Sequence, residues 1–269
     1  MREGRDGAVM LRTRNVVKRF GAHRAVDGVD LDVRPGALHA IIGPNGAGKT
    51  TLFNVLSGEL RPTTGTVELN GRDITRLDAT SRSHLGMGRS FQRTNVFPNL
   101  TVFENVRLAA QSRTHASFDP FRRAESLARV NARAEAVLAE FGLAELAIGN
   151  VAFATSGSGK GRAPLASELA GGDQRLLELA ITLATDPLLL LLDEPSQGLS
   201  PEDARRLIDR IAALRDRYTI VLIEHNMPLV MSLADEITVM NFGRVLAHGT
   251  PAEIRANPDV RAAYLGKRP

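Results

Sequence analysis

Residues 43–50 read Gly-Pro-Asn-Gly-Ala-Gly-Lys-Thr and match the phosphate-binding pattern G-x-x-x-x-G-K-[ST] at every fixed position. The preceding residues 38–42 predict a short buried strand, and residues 51–57 predict a helix. In this context the glycines let backbone N–H groups point at phosphate oxygens, close to the positive end of the helix. We therefore expect Lys49 to reach the β- and γ-phosphates of a nucleotide and the Thr50 hydroxyl to bind Mg²⁺.

A carboxylate pair follows a continuous apolar run later in the chain. Residues 187–192 read Pro-Leu-Leu-Leu-Leu-Leu, which is typical of a parallel strand buried on both faces, and Asp193 and Glu194 come next. Open parallel sheets bind their ligands at the carboxyl ends of the strands. We expect Asp193 to hold Mg²⁺ and Glu194 to orient or deprotonate the water that attacks the γ-phosphate.

A second glycine-rich stretch, residues 154–162, resembles a phosphate loop only superficially. It lacks the first glycine of the pattern, has Gly161 where Ser or Thr should follow the lysine, and follows no clear buried strand. We predict that residues 155–163 form a flexible basic linker.

Composition narrows the class of protein. The chain has 269 residues, of which 43% are hydrophobic, and this is enough for one large α/β domain. It contains no cysteine and therefore no disulfide framework, which fits an intracellular address. No apolar segment approaches the roughly 18 residues that span a bilayer, and the N-terminus lacks the apolar core of a secretory signal. The net charge of +4 is spread along the chain and does not indicate nucleic-acid binding. We expect a protein that is soluble or held at a membrane by a partner.

The predicted secondary structure changes from strands to helices and back to strands along the chain. Alternating apolar residues at Val29, Leu31 and Val33 predict antiparallel sheet ahead of the phosphate loop, and Asn70-Gly71 predicts a hairpin. Residues 93–165 are rich in Ala and Arg at helical spacing, notably over 124–141, and predict an inserted helical subdomain. A buried strand over 219–223, a hairpin over 237–249 and a helical tail follow.

Three further features complete the pattern. Gln92 ends the run Gly-Arg-Ser-Phe-Gln, residues 169–174 read Leu-Ala-Gly-Gly-Asp-Gln at the start of a helical pattern, and His225 follows the strand 219–223. A turn of small residues at a helix N-terminus can form a second anion site. In its order of parts, nearly the whole chain resembles the ABC transporter ATPases.

The resemblance implies an α/β fold: a P-loop NTPase core of mostly parallel sheet, an N-terminal antiparallel β-subdomain and an inserted α-helical subdomain. The expected boundaries are 1–92 and 166–249 for the ATP-binding core with its β-subdomain, 93–165 for the helical subdomain, and 250–269 for a helical tail.

The resemblance also implies a role for each matching residue. Phe20 would stack on adenine, Gln92 would help to ligate Mg²⁺, residues 169–174 would cap the γ-phosphate bound to the opposite subunit, and His225 would contact the γ-phosphate. The implied catalytic residues are Glu194, His225 and Gln92. The implied metal ligands are Thr50, Gln92 and Asp193. The implied nucleotide-binding residues are Phe20, Gly43, Pro44, Asn45, Gly46, Ala47, Gly48, Lys49, Thr50, Thr51, Leu169, Ala170, Gly171, Gly172, Asp173 and Gln174.

Two positions depart from the family pattern. Ala170 replaces the usual signature serine, and Ser200 stands where many relatives have Asp. Both positions bear on how the two ATP sites of a dimer are coupled. Neither touches the phosphate, metal or water-activating residues, so we expect hydrolysis to be retained.

Several phrases resemble the ATPases of branched-chain amino acid importers, although relatives serving urea or amide uptake share much of them. They are residues 88–92, 99–105, 223–227, 249–254, 257–260 and 264–266. The resemblance implies ATP and Mg²⁺ as cofactors, transmembrane permease subunits, a second ABC ATPase subunit and, indirectly, a solute-binding protein outside the membrane. The second ATPase would form a heterodimer, or a homodimer when the chain is alone. The protein would lie peripherally on the cytoplasmic face of the membrane.

Two other classes fit less well. A non-transport ABC ATPase acting on ribosomes or DNA usually carries two cassettes or a long coiled coil, whereas this chain has one phosphate loop and no sustained heptads. A phosphate-loop kinase would not need residues 169–174 or His225 at these positions.

Overall fold

The structure is a computed structural model that describes residues 8–90, 96–112, 123–148 and 163–265. The chain divides into two compact units, of which the first comprises residues 1–89, 188–195 and 211–269. The second comprises residues 90–187 and 196–210. This division groups residues 166–187 with the second unit, whereas the sequence predicts them in the core, and the predicted domain boundaries stay predictions.

The described residues form the following elements. The strands are β1 (Leu11–Phe20), β2 (His23–Val33), β3 (Leu38–Ile42), β4 (Thr64–Leu69), β5 (Arg72–Asp73), β6 (Met87–Arg89), β7 (Leu189–Asp193), β8 (Thr219–Ile223), β9 (Glu236–Asn241) and β10 (Arg244–Gly249). The helices are α1 (Lys49–Ser57), α2 (Ala79–His84), α3 (Val102–Gln111), α4 (Arg123–Glu140), α5 (Ala144–Ile148), α6 (Gly171–Ala184), α7 (Pro201–Leu214), α8 (Met227–Leu233), α9 (Pro251–Ala256) and α10 (Pro258–Leu265).

A six-stranded sheet in the order β10-β9-β3-β8-β7-β6 forms the centre of the first unit. All its pairs are parallel except β9 with β10. Every residue of β3, β7 and β8 is buried, which explains why their sequences are nearly continuous apolar runs. The predicted strands over 38–42 and 219–223 are confirmed. Strand β7 begins at Leu189 and includes Asp193, so the carboxylate lies in the last position of the strand.

A second sheet, in the order β2-β1-β4-β5, is antiparallel and also belongs to the first unit. Val29, Leu31 and Val33 are buried along β2, as their alternation predicts. Asn70 and Gly71 join β4 to β5, and both have positive φ, as a two-residue hairpin turn of the primed type requires. Buried residues of α1 pack in one hydrophobic cluster with residues of both sheets.

Helices α3, α4 and α6 pack against one another in the second unit. Helix α3 starts with a capping box in which Thr101 and Glu104 exchange side-chain and backbone hydrogen bonds. Helix α4 spans Arg123–Glu140, one residue displaced from the predicted 124–141. In the described part of the chain, no helix has the length and hydropathy needed to cross a membrane.

Candidate nucleotide site

The phosphate-binding pattern forms a tight loop between β3 and α1. Gly43 and Gly48 have φ of 155° and 96°. A Cβ atom at Gly43 would lie 2.2 Å from the Met240 carbonyl oxygen, and one at Gly48 would lie 2.2 Å from the Ala25 carbonyl oxygen. Only glycine fits at both positions. Because Gly48 is also the N-cap of α1, no side chain caps the first turn, which leaves its N–H groups suited to bind phosphate.

Lys49 lies over this loop. Its Nζ donates hydrogen bonds to the carbonyl oxygens of Gly43, at 2.7 Å, and of Pro44, at 3.1 Å. Only 7% of the residue is exposed. Burial lowers the pKa of Lys49, and the carboxylates of Glu194 and Asp193 oppose this effect. The predicted lysine, loop and carboxylate pair therefore lie in one electrostatic environment.

The other residues of the loop differ in exposure. Asn45, Gly46 and Thr50 are exposed, Thr51 is half-buried, and Ala47 is buried. The Thr50 hydroxyl therefore belongs to the exposed start of α1, beside the uncapped N–H groups.

Asp193 is 2% exposed. Within the described residues, no group of three or more His, Cys, Asp or Glu side chains could hold a metal ion. Mg²⁺ needs no such cage, because it commonly uses one or two protein oxygens together with substrate phosphates and water. The donor set of Thr50 and Asp193 fits that mode. The third predicted ligand, Gln92, lies outside the described residues.

Glu194 and His225 follow two adjacent parallel strands, β7 and β8. Glu194 has a left-handed backbone with φ of 46°, and its N–H donates to the Ile223 carbonyl oxygen at 2.9 Å. This backbone conformation is unfavourable for a residue with a side chain and is concentrated at functional sites. His225 Nδ1 lies 3.8 Å from Glu194 Oε2, and the His225 side chain is 58% exposed. The structure thus brings together a carboxylate and an accessible imidazole.

Phe20 is the last residue of β1 and is 49% exposed. The Nζ of Lys18 lies 5.2 Å from the centroid of its ring. An exposed aromatic ring of this kind fits the predicted stacking on adenine, which stays a prediction.

In the second unit, the predicted signature segment begins α6. Ala170 is the N-cap and provides no side-chain hydrogen bond, so the first turn keeps its N–H groups for an anion. Gln174 Nε2 donates to the Leu169 carbonyl oxygen at 3.2 Å, and Asp173 Oδ1 lies 3.1 Å from Arg206 Nη2. A Cβ atom at Gly171 would have no neighbour within 4 Å.

Gly172, the next residue of α6, lies close to α7. A Cβ atom there would lie 2.3 Å from Asp203 Oδ1, so a side chain would collide with α7. Asp203 is held by Ser200, the second position that departs from the family pattern. Ser200 Oγ donates to Asp203 Oδ2 at 2.8 Å and accepts from the Asp203 N–H at 3.1 Å.

Arg89 contributes to the site and was not singled out from the sequence. Its guanidinium donates to Ser57 Oγ at 2.5 Å and to Asn54 Oδ1 at 2.7 Å, and lies 5.0 Å from the centroid of the Phe53 ring. Burial lowers the pKa of Arg89, and the carboxylate of Asp193 is among the charges that oppose this effect. Arg89 is the last residue of the short strand β6, and its sequence context does not indicate these contacts.

Comparisons with known proteins identify the family of the chain. Residues 26–197 match the sequence model of the ABC transporter family, and residues 244–268 match that of the branched-chain amino acid ATP-binding cassette transporter. The high-affinity branched-chain amino acid transport ATP-binding protein LivG of Salmonella typhimurium is 41% identical over 267 residues, which cover 96% of this chain and 98% of that protein. The corresponding protein BraF of Pseudomonas aeruginosa is 40% identical over 267 residues, which again cover 96% of this chain and 98% of that protein.

A solved structure shows the same fold. The crystal structure of the ADP conformation of an ATP-binding cassette of an ABC transporter superposes with a TM-score of 0.77 at 30% sequence identity. The match covers 97% of this chain and 99% of that one. This confirms the predicted α/β P-loop NTPase fold with its antiparallel sheet and helices. The chain belongs to the ABC transporter family, as one of its ATP-binding cassettes.

Proposed function

We propose that this chain is the Mg²⁺-dependent ATP-hydrolysing subunit of an importer for branched-chain amino acids. The observation that carries the proposal is the full-length similarity to LivG and BraF, together with the match of residues 244–268 to the branched-chain family. The geometry of the first unit supports hydrolysis, because the phosphate loop, Lys49 and the carboxylate pair share one environment.

The proposed mechanism of hydrolysis assigns a role to each side chain of the site. The phosphate loop and Lys49 hold the β- and γ-phosphates, and Glu194 orients the attacking water and accepts its proton. His225 contacts the γ-phosphate beside Glu194. Mg²⁺, when bound, neutralises charge on the phosphate oxygens, and Thr50, Asp193 and Gln92 would hold it.

Residues 169–174 act in the site of a second ATPase subunit. The first turn of α6 has no side-chain cap at Ala170, which supports binding of the partner's γ-phosphate there. Two ATP molecules would then be held between two ATPases, and their binding would drive closure. In the transporter we expect a heterodimer of two different ATPases. When the chain is isolated, we expect it to self-associate.

The second unit docks on the permease through the segment that includes Val96 and Phe97. Phe97 is 59% exposed, although its backbone is fixed. The Phe97 N–H donates to Asn105 Oδ1 at 2.8 Å, and Asn105 Nδ2 donates to the Phe97 carbonyl oxygen at 3.1 Å. An exposed aromatic side chain on a backbone fixed by hydrogen bonds suits a protein interface. The chain would lie on the cytoplasmic face of the membrane and meet the solute-binding protein only through the permease.

The test is to co-purify the chain with its permease subunits and second ATPase, and to reconstitute the complex in liposomes with its solute-binding protein. ATPase activity should rise with leucine, isoleucine or valine and should require Mg²⁺. A complex stimulated only by urea or short amides would assign the chain to that class of importer. Failure to recover any permease would favour a non-transport ATPase.

The proposed permease interface at Val96 and Phe97 is tested with a separate pair of variants. Phe97→Asp should abolish stimulation by solute and leave nucleotide binding unchanged. Phe242→Asp, which changes another exposed aromatic residue in a different unit, should leave docking intact. An unchanged complex with Phe97→Asp would contradict this interface.

A further inference from the structure

A cavity of about 630 Å³ lies in the first unit between α8, α9 and α10. Its apolar walls include Met227 and Met231 of α8, Ile254 of α9 and Val260 of α10. Ile254 and Val260 are almost fully buried, whereas the two methionines are partly exposed. The volume is that of a small-molecule site, and methionine side chains adapt readily to the shape of an apolar ligand.

Two cationic side chains, Arg255 and Arg261, also line this cavity. Both residues are exposed, and in the described part of the chain neither guanidinium pairs with a carboxylate. The neighbouring acid Glu253 is occupied in the α9 capping box, where its Oε2 accepts from the Thr250 N–H at 2.7 Å. The cavity therefore combines apolar walls with two arginines that can bind a carboxylate in bidentate geometry.

The cavity also borders the nucleotide site through Tyr264, which lines it from α10. The hydroxyl oxygen of Tyr264 is shielded from solvent and has no hydrogen-bond partner among the described residues. Burial raises the pKa of Tyr264 to about 12, and the Gly43 N–H opposes this effect. Helix α8, which also lines the cavity, begins two residues after His225. A ligand in the cavity would touch Tyr264, whose pKa the Gly43 backbone influences, and Met227, which follows His225 by two residues.

We propose that this cavity binds a small amphipathic carboxylate and that Tyr264 couples its occupancy to the phosphate loop. The apolar part of the ligand would lie among the methionine, isoleucine and valine side chains, and its carboxylate would bind Arg255 and Arg261. Coupling is reciprocal, so the ligand and ATP change each other's affinity by the same factor. The site goes beyond the proposed function, which gives the C-terminal helices no role.

Binding is tested by titration calorimetry of the full chain without nucleotide, with decanoate as the probe and decanol as its uncharged analogue. Decanoate should bind more tightly than decanol. The double variant Arg255→Ala/Arg261→Ala should lose about tenfold in affinity for decanoate, since charge-assisted hydrogen bonds are lost. It should bind decanol as the wild type does. Arg72→Ala, an exposed arginine on β5, is the matched control and should change neither affinity.

A second pair of variants tests the cavity itself. Met231→Trp should fill it and abolish binding of both probes, whereas Met231→Leu conserves volume and should retain binding. Equal affinity for decanol and decanoate, or full decanoate affinity in the double arginine variant, would overturn the site. Self-association of the chain that Met231→Trp abolishes, without any decanoate binding, would assign the cavity to a second copy and would also overturn it.

Coupling is measured as the affinity for ATP with and without saturating decanoate, in the Glu194→Gln background that prevents turnover. Decanoate should change the ATP affinity, and ATP should change the decanoate affinity by the same factor. Tyr264→Phe should remove this coupling and keep decanoate binding, because it removes only the hydroxyl group. An ATP affinity that decanoate leaves unchanged would overturn the coupling, whatever the result for hydrolysis or transport.

Discussion

His225 Nδ1 lies 3.8 Å from Glu194 Oε2, at the carboxyl ends of two neighbouring parallel strands. Two features set this distance. The register pairs Asp193 with Ile223, so each side chain follows its strand by one or two residues. The left-handed backbone at Glu194 then redirects the chain and lets its N–H bond to the carbonyl oxygen of Ile223. The Glu194 carboxylate and the His225 imidazole are thus positioned by the sheet and not by a long loop.

Glu194→Gln should abolish turnover and leave ATP bound. The amide keeps the size and backbone requirements of the glutamate but cannot accept a proton, and removal of a general base costs about 10²–10⁴ in rate. The phosphate loop, which carries binding, is unchanged. Steady-state ATPase assays and fluorescence titration with an ATP analogue measure the two effects separately.

Glu202→Gln is the matched control, because Glu202 is exposed in the first turn of α7. It should retain the wild-type rate. Hydrolysis by Glu194→Gln at the wild-type rate would show that Glu194 is not the residue that activates water.

Lys49→Ala should weaken ATP binding by about ten- to a hundredfold, since a charge-assisted contact to phosphate contributes roughly 1.5–3 kcal/mol. Lys49→Arg tests whether charge alone suffices. The Lys49 side chain is almost fully buried against the loop, so the larger guanidinium should not fit and binding should stay weak. Calorimetric titration in the Glu194→Gln background provides the measurement, and normal affinity in Lys49→Ala would contradict the assignment.

Local motifs account for most of what could be predicted from the sequence. Asn70-Gly71 demands positive φ at both residues, which almost by itself specifies a hairpin. The sequence pattern of the phosphate loop likewise specifies glycine at positions 43 and 48, where the structure has no room for a side chain. The apolar runs of β3 and β8 predict buried parallel strands because both faces of the sheet are covered.

Contacts between distant segments could not be predicted in this way. Arg82 is fully buried, and its guanidinium donates to the carbonyl oxygens of Val55 and Leu56 at the end of α1. A charged residue on a short polar helix gives no sign of this role in the sequence. The same holds for Arg89, whose partners lie more than thirty residues away. Both depend on how α1 packs on its neighbours.

Ser200→Ala should lower the free energy of unfolding by about 1 kcal/mol, because it removes the N-cap of α7. Ser200 Oγ accepts from the Asp203 N–H and donates to the Asp203 carboxylate, and an alanine can do neither. Ser200→Thr keeps the hydroxyl group and should stay close to the wild type. Denaturation with urea, followed by circular dichroism, measures the difference, and equal stabilities of all three proteins would contradict the cap.

A last prediction concerns pH and the buried His39 on β3. Its Nε2 lies 2.8 Å from Thr238 Oγ1, its Nδ1 lies 3.6 Å from Glu236 Oε2, and its ring stacks on His248 with centroids 5.5 Å apart. Burial lowers the pKa of His39 below its usual 6.5. The folded protein therefore keeps this imidazole neutral at a pH where the unfolded chain already binds a proton.

The free energy of unfolding should accordingly fall as the pH drops from about 6.5 toward the lowered pKa of His39, by at most about 1.4 kcal/mol per pH unit for one proton. Glu236 acts in the same direction at lower pH, because the adjacent His39 ring and the charge of Arg34 lower its pKa. Urea denaturation between pH 7.5 and 5.5 tests the contribution of His39. His39→Gln should flatten this dependence, whatever its effect on stability at pH 7.5, and the exposed His23→Gln should not. An unchanged pH dependence in His39→Gln would assign the acid sensitivity to other groups.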